Sequence, residues 1–176
     1  MAIHKDFPSS PHEILKPEVR WFPADESLRD TSYEKLMPPL VPELRKAVEK
    51  WRVDGYPAIS NTSKTLLNHW FNTPHPIIHA DGTTSNFQYY FAQREAVETI
   101  IYLHEAVKVA DKYDLLRFSK SDAVSAQLFE ETWRRYVVKM ATGSGKTKTM
   151  SLILAWSYFH RKYEEGSALS KNFLVI

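Results

Sequence analysis

The chain lacks cysteine altogether and has only five glycines among its 176 residues. Without cysteine it cannot form disulfides, use a thiolate nucleophile or build a cysteine-based zinc site. No apolar run approaches the roughly 20 residues that cross a membrane, and the first residues lack the apolar core of a secretory signal. A net charge of +2 is too small to indicate a nucleic-acid or membrane partner from composition alone. These absences predict a soluble protein of the cytoplasm whose chemistry lies in a local motif.

Proline is missing from most of the chain, because all ten prolines lie at or before Pro76. We therefore predict a boundary near Asp81-Gly82, with a Pro-rich, mainly helical region over residues 1–82. Within this region, residues 42–53 and 60–72 place apolar side chains at helical spacing behind helix-starting residues. We expect these two helices to pack against each other.

Beyond the boundary, residues 83–176 are predicted to alternate between helices and strands. A helix of about 18 residues begins near Gln93 and carries one apolar face. The run RRYVVKM, residues 134–140, is β-branched and aromatic and ends at the glycines, which is typical of a buried parallel strand. A helix closing near Gly166 and a second strand, KNFLVI, would follow. This order is that of a βαβ unit, so the predicted fold class is α/β with the beginning of a parallel sheet.

Two other segments receive weaker predictions. The run EVRWFP, residues 18–23, is a possible edge strand. Residues 114–133 are polar with scattered apolar side chains, which indicates a connecting helix or loop.

The stretch ATGSGKT, residues 141–147, is the most informative motif. A loop can hold a polyphosphate only if successive backbone N–H groups point inward and no Cβ blocks the approach, which explains Gly143 and Gly145. Lys146 would reach the β- and γ-phosphates, and the Thr147 hydroxyl would ligate Mg²⁺. The general pattern requires a glycine where this chain has Met140. The competing interpretation is a Gly-Ser turn that happens to precede Lys-Thr.

With its preceding methionine, MATGSGKT resembles motif I of superfamily 2 helicases and translocases of the restriction-enzyme branch. The upstream stretch FQYYFAQREAVETIIYLHEA resembles the Q motif region of type III restriction enzyme helicase subunits and related DEAD/DEAH-box proteins. The resemblance implies the first part of a RecA-like P-loop domain over residues 83–176, preceded by a family-specific region over residues 1–82. It also implies ATP and Mg²⁺ as cofactors.

The same resemblance implies roles for individual residues. Gln93 would hydrogen-bond the adenine edge, with Tyr90 or Phe91 packing nearby; the alternative for Gln93 is a solvated residue at a helix start. Arg94 and Glu95 are interpreted as surface charges. Lys146 and Thr147 would be the catalytic residues, with Thr147 the Mg²⁺ ligand. The cofactor-binding set would be Gln93, Thr142, Gly143, Ser144, Gly145, Lys146, Thr147 and Lys148.

By the same resemblance, the full-length parent would couple ATP hydrolysis to movement on double-stranded DNA, as the restriction subunit of a type III-like system. A methyltransferase subunit is a possible partner. The acidic Asp-Glu motif and second lobe of full-length members are not found after the loop. We therefore expect an N-terminal piece of a helicase that is inactive by itself.

Two other function classes stay open at this point. The chain could be a small P-loop kinase or other nucleoside-triphosphate enzyme, although such enzymes usually begin at the phosphate loop. It could instead be a truncated remnant without catalysis, or an interaction module. His69, His75 and His79 could supply imidazoles to a metal, but the surrounding prolines favour an irregular loop.

Overall fold

The computed structural model describes residues 10–17, 25–119 and 136–174. The possible strand at residues 18–23 and most of the predicted connection up to residue 133 lie outside the described residues. The helices and strands are, in chain order, α1 (Tyr33–Leu36), α2 (Val41–Val53), α3 (Asn61–Asn72), β1 (His75–Ile78), β2 (Thr84–Phe87), α4 (Phe91–Ile101), α5 (Lys112–Leu115) and α6 (Lys146–Tyr163). Short 3₁₀ turns cover Glu26–Leu28 and Leu116–Phe118, and a π-helical turn covers Tyr102–Ala106.

The described residues divide into two compact units. The first contains the described parts of Met1–Ile14, Ile59–Ile101 and Val138–Ile176, and the second those of Leu15–Ala58 and Tyr102–Val137. The predicted boundary at Asp81-Gly82 is not where these units divide, because these two residues lie between the paired strands β1 and β2. The assignment of residues 1–82 and 83–176 to separate regions stays a prediction.

Three helices, α3, α4 and α6, pack together in the first unit. Their fully buried side chains include Leu67 and Ile101, and Trp156 donates a hydrogen bond from Nε1 to the Ser63 hydroxyl at 2.7 Å. Burying an aliphatic side chain of this size contributes about 1.5–3 kcal/mol. The packing of these three helices therefore fixes the starts of α4 and α6, where the predicted site residues lie.

The helix predictions for α3 and α6 are confirmed, with small differences at the ends. Ser60 caps α3 by accepting from the Ser63 backbone N–H, as its position before the apolar run predicts. The helix α6 ends at Tyr163, three residues before Gly166. Since α2 belongs to the other unit, the predicted packing of α3 against α2 stays a prediction.

The helix that begins near Gln93 changes its geometry after Ile101. A π-helical turn follows, and it places Leu103 and Glu105 on the buried side where regular α-helical spacing predicts His104 and Val107. A π turn takes more residues than an α turn, so it rotates the following side chains relative to the apolar stripe. Regular periodicity gives no sign of this change.

The second unit is built around α2. A small core of Leu103, Val109 and Phe118 is covered by Leu40, Leu44, Ala47, Tyr102, Val107 and Leu115. Trp51 of α2 contacts the Tyr56 ring edge-on at 4.8 Å and donates a hydrogen bond to the Pro57 carbonyl. The prediction of α2 itself is confirmed, with Pro42 in its first turn and Gly55 after its end.

The two predicted parallel strands are not strands in the described part of the chain. Tyr136–Met140 and Lys171–Leu174 are irregular, and the Val137 and Leu174 side chains are 76% and 86% exposed. A β-branched run becomes a strand only when neighbouring backbone pairs with it, and no described residue pairs with either segment. The described residues form both helices and strands, as the α/β prediction requires, but the predicted parallel sheet is not confirmed.

The sheet that the described residues do form is the antiparallel hairpin of β1 and β2. His75 pairs with Phe87 and Ile78 with Thr84. In the turn, Asp81 accepts hydrogen bonds from the Thr83 hydroxyl and backbone N–H, and these bonds lower the pKa of the Asp81 carboxyl. The hairpin brings Phe87 close to Lys148 at the start of α6. In the described part of the chain, each helix is too short or too polar to cross a lipid bilayer.

Candidate phosphate-binding site

The glycine loop, residues 141–147, leads directly into α6. Gly143 and Gly145 have φ angles of +80° and +78°, a region that residues with a Cβ enter only with strain. Gly145 is the N-cap of α6, so no side chain occupies the N–H groups of the first turn. Such a helix start offers backbone donors and the positive end of the helix dipole to an anion.

The polar side chains of the loop converge on one carbonyl. The Lys146 ammonium donates a hydrogen bond to the Ala141 oxygen at 3.0 Å, and the Ser144 hydroxyl donates to the same oxygen at 2.6 Å. The side chains of Lys146, Thr147 and Lys148 are exposed at the first turn of α6. The predicted residues 142–148 are thus brought together, with the charged group of Lys146 folded over the loop.

Gln93 is held against this loop and is only 6% exposed. Its Oε1 accepts from the Tyr90 backbone N–H at 2.9 Å, and its Nε2 donates to the Ser144 carbonyl at 3.0 Å. The interpretation as a solvated helix-start residue is therefore wrong. Its predicted contact with adenine stays a prediction; what the structure shows is that Gln93 joins the start of α4 to the glycine loop.

The position of Gln93 also explains one of the glycines. A Cβ placed on Gly145 would stand 2.1 Å from Gln93 Nε2, whereas a Cβ on Gly143 would meet nothing within 4 Å. Both glycines satisfy an unusual φ angle, but Gly145 has a second, steric reason to lack a side chain.

Met140 occupies the position where the general pattern has a glycine. Its sulfur lies 3.5 Å from the hydroxyl of Thr149, a buried residue of α6, and accepts a weak hydrogen bond from it. The methionine side chain therefore links the entry of the loop to the helix that follows.

Arg94 and Glu98 form a partly buried ion pair that the sequence interpretation missed. The Arg94 Nε donates to the Glu98 carboxylate at 2.8 Å, with the Arg94 side chain 13% exposed and that of Glu98 not exposed. Arg94 also reaches the Asn72 side-chain oxygen at 3.3 Å. The interpretation of Arg94 as a surface charge is therefore wrong. The i, i+4 spacing of Arg94 and Glu98 was a signal for this pair, but spacing alone does not indicate burial.

The aromatic residues before Gln93 have different environments. Phe91 is buried in the helix start, while Tyr90 is 37% exposed and its ring centroid lies 5.2 Å from that of His12. Tyr89, which received no role from the sequence, contacts three other aromatic rings, and burial raises the pKa of its phenol.

The histidines considered for a metal have separate environments. The rings of His69 and His75 are in edge-on contact at 5.1 Å, while His79 hydrogen-bonds the Ser85 hydroxyl in the hairpin. Among the described residues, no three His, Asp or Glu side chains are grouped as metal ligands.

Comparison with known proteins identifies the family. The family model described as "Type III restriction enzyme, res subunit" matches residues 86–176, which is more than half of the chain. The match includes Gln93, the glycine loop and α6. No curated protein and no solved structure matches the chain. The chain belongs to the family of type III restriction enzyme res subunits.

Proposed function

We propose that the chain binds ATP with Mg²⁺ through the glycine loop, as the nucleotide-binding part of a superfamily 2 DNA helicase or translocase. The observation that carries this proposal is the loop itself. Two glycines with positive φ lead into a helix start with no side-chain cap, and Lys146 lies beside it. These features support binding of a triphosphate, because a helix start without a side-chain cap offers backbone donors and a nearby ammonium group can pair with an anion.

In this proposal each loop residue has a distinct role. Lys146 would contact the β- and γ-phosphates, and Thr147 would hold Mg²⁺ through its exposed hydroxyl. The bound nucleotide and metal would supply the phosphoryl group and the charge neutralisation that its transfer requires. Gly143 and Gly145 admit the phosphates, and Gln93 fixes the loop in place by its bond to Ser144.

The larger setting follows from the family. Membership supports action on double-stranded DNA within a restriction system, with a methyltransferase subunit as a possible partner of the whole enzyme.

Isothermal titration of the chain with ATP and Mg²⁺ tests the proposal. We expect saturable binding that weakens at least tenfold in Lys146→Ala, since a charge-assisted hydrogen bond contributes about 1.5–3 kcal/mol. Lys162→Ala is the matched control, because it removes a lysine from the last turn of the same helix, about 24 Å away. Equal affinity in the chain and in Lys146→Ala, or no binding at millimolar ATP, would overturn the proposal.

A further inference from the structure

A groove of about 480 Å³ lies at the end of α6 that is farthest from the glycine loop. It runs between the last turns of α6 and the first two turns of α3, and both helices belong to the first unit. Its apolar lining consists of Leu66, Phe159 and Tyr163. The 18 residues of α6 span about 27 Å, so this groove is separate from the proposed nucleotide site.

Two aromatic rings form a flat wall of the groove. The rings of Phe159 and Tyr163 lie one helical turn apart and stack nearly parallel, at an interplanar angle of 6° with centroids 6.1 Å apart. Tyr163 is 62% exposed, so much of its surface is open to a ligand. The face of an aromatic ring carries partial negative charge and attracts cations, and the planar guanidinium of arginine stacks on it well.

The polar lining offers acceptors and one negative charge. Glu164 accepts hydrogen bonds from Thr62, and these bonds lower the pKa of its carboxyl, so the group is ionised at neutral pH. Because the Thr62 donors are uncharged, they leave the negative charge in place. The Thr65 hydroxyl and the Asn61 amide oxygen add further acceptors to the lining. A ligand with a positive charge and several N–H donors matches these groups.

One cation of the chain already contacts the aromatic wall. The Lys162 ammonium lies 5.1 Å from the Tyr163 ring centroid, which is within the range of a cation–π contact. The Lys162 side chain is exposed, so little packing holds it in this position. A cation that also pairs with Glu164 would therefore displace Lys162 from the ring.

The open shape of the groove indicates which kind of ligand it takes. Asn61, Thr65 and Tyr163 are exposed, so the groove would cover only part of a small molecule, whereas sites for small ligands bury most of the ligand surface. An arginine side chain on a protein needs only such partial cover, because the neighbouring residues of its own chain shield the rest.

We infer that this groove is a docking site for a partner protein and receives an arginine side chain of that partner. The guanidinium would stack on Tyr163 and pair with the Glu164 carboxylate. The inference goes beyond the proposed function and does not depend on it, because the lining residues named above lie outside the glycine loop.

NMR titration of the full chain with short peptides tests the inference. The probe is acetyl-Gly-Gly-Arg-Gly-Gly-amide, and the comparison peptide has citrulline, which is planar and similar in size but uncharged, in place of arginine. We expect the arginine peptide to bind about tenfold more tightly, the combined effect of one cation–π contact and one exposed ion pair. Equal affinity of the two peptides, or no binding of the arginine peptide at millimolar concentrations, would overturn the inference.

Two substitutions with matched controls locate the site. Tyr163→Leu and Glu164→Gln should each weaken binding of the arginine peptide about threefold, since each removes one of the two contacts. Tyr113→Leu removes an exposed ring of the second unit, and Glu165→Gln removes the neighbouring exposed charge, so both should bind like the unsubstituted chain. Losses in the controls as large as those in the groove variants would contradict the assignment.

Two lysine variants separate cation recognition from other effects. Lys162→Ala should bind the arginine peptide about twofold more tightly, because it removes the ammonium that competes for the Tyr163 ring. Weaker binding by Lys162→Ala would count against the inference. Lys146→Ala should bind the peptide with unchanged affinity, so a failure of the proposed ATP site leaves this test intact.

The same titration of the unsubstituted chain covers the case in which a variant does not fold. The arginine peptide should shift the backbone amide signals of Thr62, Thr65 and Glu164, and shifts confined to other residues would overturn the inference. Sedimentation of the chain alone tests a different occupant of the groove. Self-association that Tyr163→Leu abolishes would show that a second copy of the chain fills the groove, and the proposed partner would be wrong.

Discussion

At the scale of single residues, Gly143 and Gly145 form a natural pair of probes. They have almost the same positive φ, but only Gly145 has the Gln93 amide where its Cβ would lie. Gly143→Ala should therefore lower the free energy of unfolding by only about 1–2 kcal/mol, which is the strain of a residue with a Cβ at a positive φ angle. Gly145→Ala should lower the free energy of unfolding by about 3 kcal/mol, because Gln93 must also lose its hydrogen bond to Ser144 or the one to Tyr90. Urea unfolding of both variants measures the difference.

The double variant Gly145→Ala with Gln93→Ala checks the cause. Removing the Gln93 side chain relieves the contact, so the two substitutions should be strongly non-additive. Equal losses in the two single glycine variants would show that the close approach of Gln93 has no energetic consequence.

At the scale of elements, the carboxylate of Glu164 at the end of α6 caps α3. Its Oε1 accepts from the Thr62 backbone N–H at 2.9 Å, and hydrogen bonds from Thr62 lower the pKa of Glu164. Because the pKa is lowered in the folded chain, the ionised Glu164 carboxylate stabilises the fold. This stabilisation is complete above the ordinary value of 4.5 and is lost as the pH falls through the folded pKa. Glu164→Gln should therefore be less stable than the unsubstituted chain at pH 7, and the difference should shrink as the pH falls below 4.5.

Urea midpoints measured from pH 7 down to pH 3 test this prediction. Other carboxyls with lowered pKa values, such as Asp81 and Asp114, are present in both proteins, so their effects cancel in the difference. Glu165→Gln is the matched control, because Glu165 is the next residue and is exposed. Parallel stability curves for Glu164→Gln and the unsubstituted chain would rule out the capping role.

The elements that the sequence predicts well are those whose signals are local. Pro42 and Gly55 bound α2, Ser60 caps α3, and the glycine loop starts α6, so each helix could be placed from its own residues. The hairpin was missed although Asp81-Gly82 is a strong turn signal, because the prolines around it favoured an irregular loop. The burial of Arg94 and the bonds of Gln93 depend on residues far away in sequence. Periodicity cannot show such contacts.

At the scale of the whole molecule, every residue of the proposed nucleotide site lies in the first unit. Hydrogen exchange with and without ATP and Mg²⁺ should therefore show slower exchange at the backbone amides of residues 143–149. The amides of α2, in the second unit, should be unchanged and serve as an internal reference. Lys146→Ala should show no such slowing. Slowing in the unsubstituted chain that spread evenly over both units would contradict this assignment.

The bond between Pro11 and Phe91 bears on how this chain can be shortened. Phe91 is the first residue of α4, and its N–H is one of the donors that a helix cannot satisfy internally. Its acceptor is the Pro11 carbonyl, 80 residues earlier in the chain. Trimming the protein to the matched segment 86–176 would preserve every motif residue, but it would remove the acceptor of the Phe91 N–H at the start of the helix that carries Gln93. A minimal nucleotide-binding version of this protein therefore has to keep residues around Pro11, or replace their carbonyl with a new N-cap.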